Sequence, residues 1–248
     1  MINKPIYVPA GRAKEYGDYA INIYTGCNHG CTYCFAPAAL RKSREEFHSC
    51  VEPRRDIVES VRRQLDREGI TDKLVHLCFT CDPYPHSIDT TPTREIIKLL
   101  KDSGNRVQIL TKGGKRAERD FDLLGPGDRF GVTFTGWGTG RYGFGPTPDE
   151  PNAASPIERI AVLARAKKQC GVETWVSCEP VIEPEDVYNL IRSGAAMNID
   201  EFKVGKMNHQ PSEIDWADFG RECERLLQLY NRRYYIKDDL RRAMEGTT

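Results

Sequence analysis

Apolar and polar positions alternate along this chain in a repeated two-part pattern. Short apolar runs predict six strands, at residues 19–26, 73–81, 106–112, 129–136, 172–178 and 200–206. Each run is followed by a stretch with apolar residues every three or four positions, which predicts helices at 52–69, 91–104, 115–124, 155–171, 183–194 and 215–234. Strict alternation of this kind is typical of a parallel sheet with right-handed crossovers and helices outside it.

The number of repeats narrows the fold class. Six strand–helix units are too few for a closed eight-stranded barrel. The sequence therefore predicts an α/β fold, either a partial (β/α)6 barrel of parallel strands with outer helices or a doubly wound sheet. The predicted organisation is an N-terminal extension at 1–18, the partial barrel at 19–210 and a helical closing segment at 211–248.

Polar residues gather where the predicted strands end. The strand ends read YTGC, FTCDPYP, LTKGG, FTGWG, SCEP and VGKMNH. In a parallel sheet these ends meet at one edge, which is where ligands bind. We therefore expect the functional site at this edge.

Composition excludes several classes of protein. The 36 basic and 36 acidic residues give no net charge, which does not support a general nucleic-acid binder, although a local basic patch remains compatible with it. No apolar run reaches the roughly 20 residues of a membrane helix, and the N-terminus lacks the apolar core of a signal peptide. Nine cysteines, an odd number, argue against a disulfide framework, so we expect a cytoplasmic protein.

Three cysteines lie close together in the stretch YTGCNHGCTYCFAP, at Cys27, Cys31 and Cys34. A zinc site usually needs four ligands in separated pairs, and only His29 is at hand to complete one. Thiolates are also the preferred ligands of iron–sulfur clusters, and a four-iron cluster held by three of them keeps one iron open. The missing fourth ligand favours the cluster over zinc and over unliganded structural thiols.

The motif GCNHGCTYCF, placed after the first strand of a βα array, resembles the cluster motif of the radical S-adenosylmethionine (radical SAM) superfamily. The resemblance implies a [4Fe–4S] cluster on the three cysteines and S-adenosylmethionine on its open iron. It also implies reductive cleavage to a 5′-deoxyadenosyl radical that abstracts hydrogen from a substrate, with an electron donor such as flavodoxin or ferredoxin. The substrate is not identified by the motif.

Later motifs resemble the spore-photoproduct-lyase-like branch of that superfamily. They are FTCDPYP, ILTKG, SPIERIAVLARAKKQCGVETWVSCEPVI and FKVGKMNH, and the resemblance spans residues 20–210. It implies S-adenosylmethionine contacts from Tyr33, Cys81, Asp82, Lys112 and Thr133. Cys81 stands where the lyases carry serine. Strand alternation by itself turns Thr80 rather than Cys81 inward, whereas the resemblance turns Cys81 and Asp82 inward.

Another departure concerns the reaction. The lyases carry a hydrogen-donating cysteine at the position that is Phe79 here, so DNA photoproduct repair is disfavoured. We predict instead a radical SAM enzyme acting on a nucleic acid, peptide or small molecule. The alternative is a non-enzymatic iron–sulfur or zinc protein with a degenerate site.

Candidate substrate residues follow the later strands. Cys178 is a candidate for substrate contact or hydrogen-atom donation, with a buried packing role as its alternative, and Cys81 is the other candidate catalytic residue. Arg141 and Tyr142 lie in a Gly/Pro-rich loop between Gly136 and Pro151, which we interpret as a gate over the site. Glu179 and His209 complete the predicted set of substrate contacts.

Overall fold

The computed structural model describes residues 4–137, 147–208 and 210–246. Eight strands form one sheet in chain order: β1 (Ile6–Tyr7), β2 (Tyr19–Ile21), β3 (Leu74–Leu77), β4 (Arg106–Thr111), β5 (Arg129–Thr133), β6 (Glu173–Cys178), β7 (Glu201–Val204) and β8 (Tyr234–Ile236). The strands from β2 to β8 are parallel, and β1 pairs antiparallel with β2. The predicted α/β fold with an open parallel sheet is confirmed.

Among the described residues, seven α-helices lie within the connections between parallel strands, and an eighth follows the last strand. They are α1 (Ala36–Ala39), α2 (Arg44–Ser49), α3 (Ile57–Glu68), α4 (Thr91–Asp102), α5 (Pro156–Cys170), α6 (Pro184–Arg192), α7 (Trp216–Leu229) and α8 (Asp238–Met244). Local chemistry sets their ends. The Ser155 side chain accepts a hydrogen bond from the Glu158 amide at the start of α5, and Gly171 ends that helix at φ +66°. None of the helices among the described residues is long and apolar enough to span a membrane.

The structure adds two strands to the six predicted ones, and it shows the type of one predicted helix. The predicted six strands omit β1, which adds an antiparallel edge within residues 1–18, and β8, which lies within the segment predicted to be helical. Both strands have three residues or fewer, and they are defined by pairing with distant residues, as Val204 with Ile236, rather than by local pattern. Residues 115–124, predicted as a helix, form a 3₁₀ helix at Gly114–Leu123.

A short N-terminal segment bridges the two ends of the sheet. It comprises a 3₁₀ helix at Gly11–Glu15 and the residue after it, Tyr16. The Tyr16 ring lies 5.2 Å from the His76 ring of β3 and 5.7 Å from the Trp175 ring of β6, measured between centroids. Strands from both halves of the sheet therefore face one side chain, so the sheet curves around an interior.

The same segment also reaches the far edge. Arg12 pairs with Asp239 at 3.4 Å, and the Asp238 amide donates to the Glu15 carboxylate at 3.1 Å. An ion pair and a hydrogen bond thus join the region of β2 to the region of β8. A core of buried aliphatic and aromatic residues fills the layer between the sheet and the helices.

Candidate active site

A cavity of about 690 Å³ opens inside the curved sheet. Its volume is within the range of small-molecule sites. Its lining includes residues at or beyond the carboxyl ends of the parallel strands, and among them are these predicted site residues: Cys27, Cys31, Tyr33, Cys34, Cys81, Asp82, Lys112, Thr133 and Glu179. Arg141, Tyr142 and His209, together with most of the proposed gate, lie outside the described residues.

The three-cysteine loop is held by hydrogen bonds to its backbone. The Arg44 guanidinium donates to the carbonyl oxygens of Cys31, Thr32 and Cys34, at 2.5, 2.7 and 3.1 Å. The His48 ring lies 2.6 Å from the Cys27 carbonyl oxygen. Because these contacts use main-chain oxygens, they shape the loop and leave the three sulfur atoms for a ligand.

Gly26 allows the loop to approach helix α2 closely. A Cβ atom at this position would lie 2.3 Å from the Phe47 carbonyl oxygen and 3.0 Å from that of Cys50. Both obstacles are main-chain atoms that cannot move cheaply. Glycine at this position is therefore required by steric contact.

Cys31 is buried and Cys27 and Cys34 are half-buried, and burial raises the pKa of each of the three thiols. The pKa of Cys31 rises to about 11, although Lys112 acts in the opposite direction. Thiolates here need a positive partner, which an iron–sulfur cluster provides. Three soft donors on one short loop facing one cavity therefore suit such a cluster.

His29 does not complete a zinc site with the cysteines. The Arg116 guanidinium donates to its Nε2 atom at 2.9 Å, and its Nδ1 atom lies 3.5 Å from the Asp82 carboxylate. Burial lowers the pKa of His29 to about 4, so the ring is neutral with both nitrogen atoms engaged. Across the described residues, no three metal-ligating side chains converge on a position for a single ion.

Asp82 lines the cavity, but its carboxylate is used by the protein. It accepts hydrogen bonds from the Thr111 hydroxyl at 2.6 Å and from the amides of Lys112 and Tyr84, both at 2.8 Å. Burial raises its pKa, but His29 and these donors outweigh burial and hold the pKa below its ordinary value. The observed role of Asp82 is to join the ends of β3 and β4 beneath the site.

A buried ion pair supports the wall beside the cysteines. Arg159 of α5 pairs with Glu150, and both side chains are almost fully buried. The Tyr33 hydroxyl donates to the same Glu150 carboxylate. The ammonium group of Lys112 lies 5.6 Å from the centroid of the Tyr33 ring. Motif reading missed Glu150 and Arg159, which carry no recognisable spacing.

Cys81 and Cys178 have different surroundings. Cys81 lines the cavity together with Thr80, because the chain bends over residues 79–81 and strand alternation ends there. Cys178 is fully buried in the hydrophobic core, and the cavity is lined by its neighbours Ser177 and Glu179. This position weighs against the predicted substrate contact for Cys178 and fits its alternative packing role.

The far end of the cavity carries a second polar group of residues. Lys237 pairs with Glu179 and donates to the Tyr16 hydroxyl, and Asn208 donates to Glu179 at 2.7 Å. Burial lowers the pKa of Lys237 to about 8. Tyr16 and Lys237 come from opposite ends of the chain, so no local motif indicated that they share a site with Glu179.

Comparison with known proteins agrees with this geometry. The sequence model described as the radical SAM superfamily matches residues 21–140. An uncharacterised protein of Mycobacterium tuberculosis is 32% identical over 115 residues, which are 43% of this chain and 32% of that protein. An uncharacterised protein of Mycobacterium bovis matches with the same values. The match therefore spans about a third of the length of these relatives.

Solved structures share the fold at low sequence identity. A spore photoproduct lyase variant with dinucleoside spore photoproduct has a TM-score of 0.65 and 15% identity, covering 93% of this chain and 79% of the lyase. Streptococcus suis SuiB bound to the precursor peptide SuiA has a TM-score of 0.64 and 14% identity, covering 92% of this chain and 51% of SuiB. These likenesses concern the fold.

Proposed function

We propose that this chain, which carries a radical SAM domain, binds a [4Fe–4S] cluster through Cys27, Cys31 and Cys34 and cleaves S-adenosylmethionine reductively. The observation that carries the proposal is that the three thiols line one end of a cavity of ligand size. When bound, the cluster would supply the electron that generates a 5′-deoxyadenosyl radical for hydrogen abstraction, drawn from a donor such as flavodoxin or ferredoxin.

Residues beside the thiols are assigned to S-adenosylmethionine. Lys112 lines the cavity. Burial lowers the pKa of Lys112, but the ionised forms of Cys31 and Glu150 outweigh burial and raise it. A stable ammonium group suits the methionine carboxylate. Thr133 and Tyr33 line the same wall and are assigned to the rest of the molecule. Cys81 is assigned as a neighbour of the cofactor, and Asp82 as the support of the Lys112 turn.

The far end of the cavity is assigned to the substrate. It offers the Glu179 carboxylate, the Lys237 ammonium group and the half-buried Phe79 ring. His76 adds a hydrogen-bond donor. Gln108 donates to its Nδ1 atom at 3.0 Å, which places the proton on Nε2, and Nε2 has no hydrogen-bond partner among the described residues. This set suits a planar substrate that carries a hydrogen-bond acceptor.

Glutamine orientation supports that histidine tautomer. Arg129 donates to the Gln108 oxygen at 2.8 Å, so the amide nitrogen faces His76 and the Tyr16 carbonyl oxygen. Burial lowers the pKa of His76 to about 3, with further lowering by Lys203 and Lys237. A neutral imidazole that donates through Nε2 can orient a substrate but does not serve as a strong acid.

Proteins of similar fold differ in their substrates, so the fold does not identify the reaction of this chain. One protein of similar fold is a lyase with a dinucleoside photoproduct, and another is bound to a precursor peptide. Phe79 occupies the position of the hydrogen-donating cysteine in the lyase motif and stacks on His76 with centroids 4.3 Å apart. This disfavours repair of DNA photoproducts by the lyase mechanism.

Anaerobic reconstitution with iron and sulfide tests the proposal. We expect about four irons per chain, a brown protein and 5′-deoxyadenosine after addition of dithionite and S-adenosylmethionine. Cys31→Ala should lose both iron and product. Cys50→Ala is the matched control, because Cys50 is an exposed free cysteine outside the cavity lining.

Two results would contradict the assignment. A colourless protein that binds zinc and forms no 5′-deoxyadenosine would favour the non-enzymatic alternative. A cluster-loaded protein that binds S-adenosylmethionine without cleaving it would remove the proposed reaction. If S-adenosylmethionine is cleaved, transfer of deuterium from a labelled candidate substrate into 5′-deoxyadenosine would identify the substrate class.

A further inference from the structure

Two more cysteines face the same cavity as the three-cysteine loop. Cys78 and Cys81 form the sequence CFTC directly after β3, and both are free thiols. Both line the cavity, with Cys81 half-buried and Cys78 buried. The spacing C-x-x-C is that of dithiols that exchange with disulfides. Neither the cofactor assignment nor the substrate assignment uses the two thiols together.

The backbone between these cysteines is held in a bend. Cys78 has φ +71°, a left-handed conformation that is uncommon for a residue other than glycine. Its amide donates to the Ile21 carbonyl oxygen at 2.8 Å. The Asn22 side chain accepts from the amides of Phe79 and Thr80, at 2.8 and 2.9 Å. Three hydrogen bonds donated to β2 and to the residue after it thus fix the turn between the two cysteines.

The two thiols differ in exposure and in their surroundings. The Tyr24 amide donates to the Cys81 sulfur at 3.4 Å. Burial raises the pKa of Cys81, but the Cys78 thiol and the Tyr24 amide outweigh burial and lower it, whereas burial raises the pKa of Cys78 well above its ordinary value. Cys81, the more accessible thiol, is therefore the better nucleophile. Cys78, the buried thiol, is the candidate to attack a mixed disulfide formed on Cys81.

We propose that Cys78 and Cys81 are a redox-active dithiol that is oxidised to an intramolecular disulfide by a small disulfide entering the cavity. The Cys81 thiolate attacks one sulfur of the small disulfide, forms a mixed disulfide and expels one thiolate. Cys78 then gives up its proton and attacks the Cys81 sulfur, expelling the second thiolate, which takes up a proton. Two protein thiols are oxidised by two electrons, and the small disulfide is reduced to two thiols.

Oxidation of Cys78 and Cys81 would affect the three-cysteine loop through Tyr24. In the reduced state Cys81 accepts the amide hydrogen bond of Tyr24, which lies three positions before Cys27. A disulfide removes the thiolate character that this amide stabilises. The redox state of the pair is thereby linked to the entrance of the loop, although the exchange itself does not require the proposed radical chemistry.

Tryptic mapping of the intact, reconstituted protein tests the proposal without an activity assay. The protein is incubated anaerobically with oxidised glutathione, blocked with N-ethylmaleimide under denaturing conditions and digested. Residues 74–94 form one tryptic peptide that carries both cysteines. We expect this peptide to lose two hydrogens and take up no N-ethylmaleimide. Peptide 169–192 is the internal control, because Cys170 and Cys178 are also buried and free but lie in separate elements.

Single variants assign the order of attack. In Cys78→Ser the glutathione adduct should be trapped on Cys81, and in Cys81→Ser the adduct on Cys78 should be roughly tenfold less abundant. A peptide 74–94 that keeps both thiols free, or oxidises no more than the control peptide, would overturn the proposal. So would a disulfide that joins Cys81 to Cys27 in place of Cys78.

Discussion

The buried pair of Arg159 and Glu150 gives the sharpest test of how the site is supported. Replacing Arg159 by Met removes the guanidinium and keeps much of the side-chain length. The guanidinium donates to the Ala154 carbonyl oxygen at 2.8 Å and to that of Thr133 at 3.1 Å, besides pairing with Glu150. Arg159→Met therefore leaves a fully buried carboxylate with the Tyr33 hydroxyl as its remaining hydrogen-bond donor among the described residues.

The expected cost follows from that unpaired charge. Breaking a buried ion pair on one side costs about 3–5 kcal/mol, whereas replacing both partners costs much less. We expect Arg159→Met to lower the free energy of unfolding by about 3–5 kcal/mol. The double variant Arg159→Met with Glu150→Gln should lose clearly less than the sum of the two single changes, because the two residues share one interaction.

Urea unfolding at neutral pH measures these differences. The control is Arg225→Met, because Arg225 pairs with Glu222 on the surface and its side chain is 58% exposed. An exposed pair contributes about 1 kcal/mol at most. If Arg159→Met costs no more than the control, or if the double variant loses the full sum, the inference that this pair supports the site is refuted.

The same pair predicts a direction of pH dependence. Burial raises the pKa of Glu150, but Arg159, Lys112 and Tyr33 outweigh burial and hold it below the usual 4.5. A carboxylate with a lowered folded pKa stabilises the protein above its unfolded pKa, and this stability is lost as pH falls through the folded pKa. Glu150→Gln should therefore flatten the loss of stability below pH 4.5 relative to the wild type.

Three further results are expected from other parts of the site. Gly26→Ala should lower the free energy of unfolding by about 1–3 kcal/mol in urea unfolding and reduce iron loading, because the new Cβ atom meets main-chain oxygen atoms. The control is Gly194→Ala, whose Cβ atom would meet nothing within 4 Å, so the free energy of unfolding should change by less than about 0.5 kcal/mol. Because burial lowers the pKa of Lys237 to about 8, its ammonium form costs stability below that pH, and the cost fades as pH rises towards 10.5. Wild-type stability should therefore rise relative to Lys237→Met between about pH 8 and about pH 10.5 in thermal unfolding, and a constant difference would contradict the assignment. Cys178→Ala should cost about 1 kcal/mol through lost packing and leave 5′-deoxyadenosine formation unchanged, so a loss of product would restore a chemical role for this thiol.

Several parts of the site were predictable because the patterns that indicate them lie within a few neighbouring residues. Glycine and three cysteines within eight residues define the loop whatever surrounds it, and Lys112 and Thr133 end apolar runs that had to be strands. The three cysteines, Lys112 and Thr133 all line the cavity. The role of Asp82 was not predictable. Its carboxylate is engaged by groups on two strands, and that is visible only when β3 and β4 lie side by side.

The sequence by itself determined the alternation of the strands β2 to β7 with the helices between them, since hydrophobic periodicity and capping residues act over a few positions. It also determined that three thiols share one short loop. Only the tertiary structure decided that the N-terminal segment around Tyr16 bridges the sheet, and that Glu179 and Lys237 line the far end of the cavity. Tyr16 and Lys237 are 221 positions apart, yet they share a hydrogen bond at the cavity wall. Contacts over such distances depend on the packing of the whole sheet, and no local pattern encodes them.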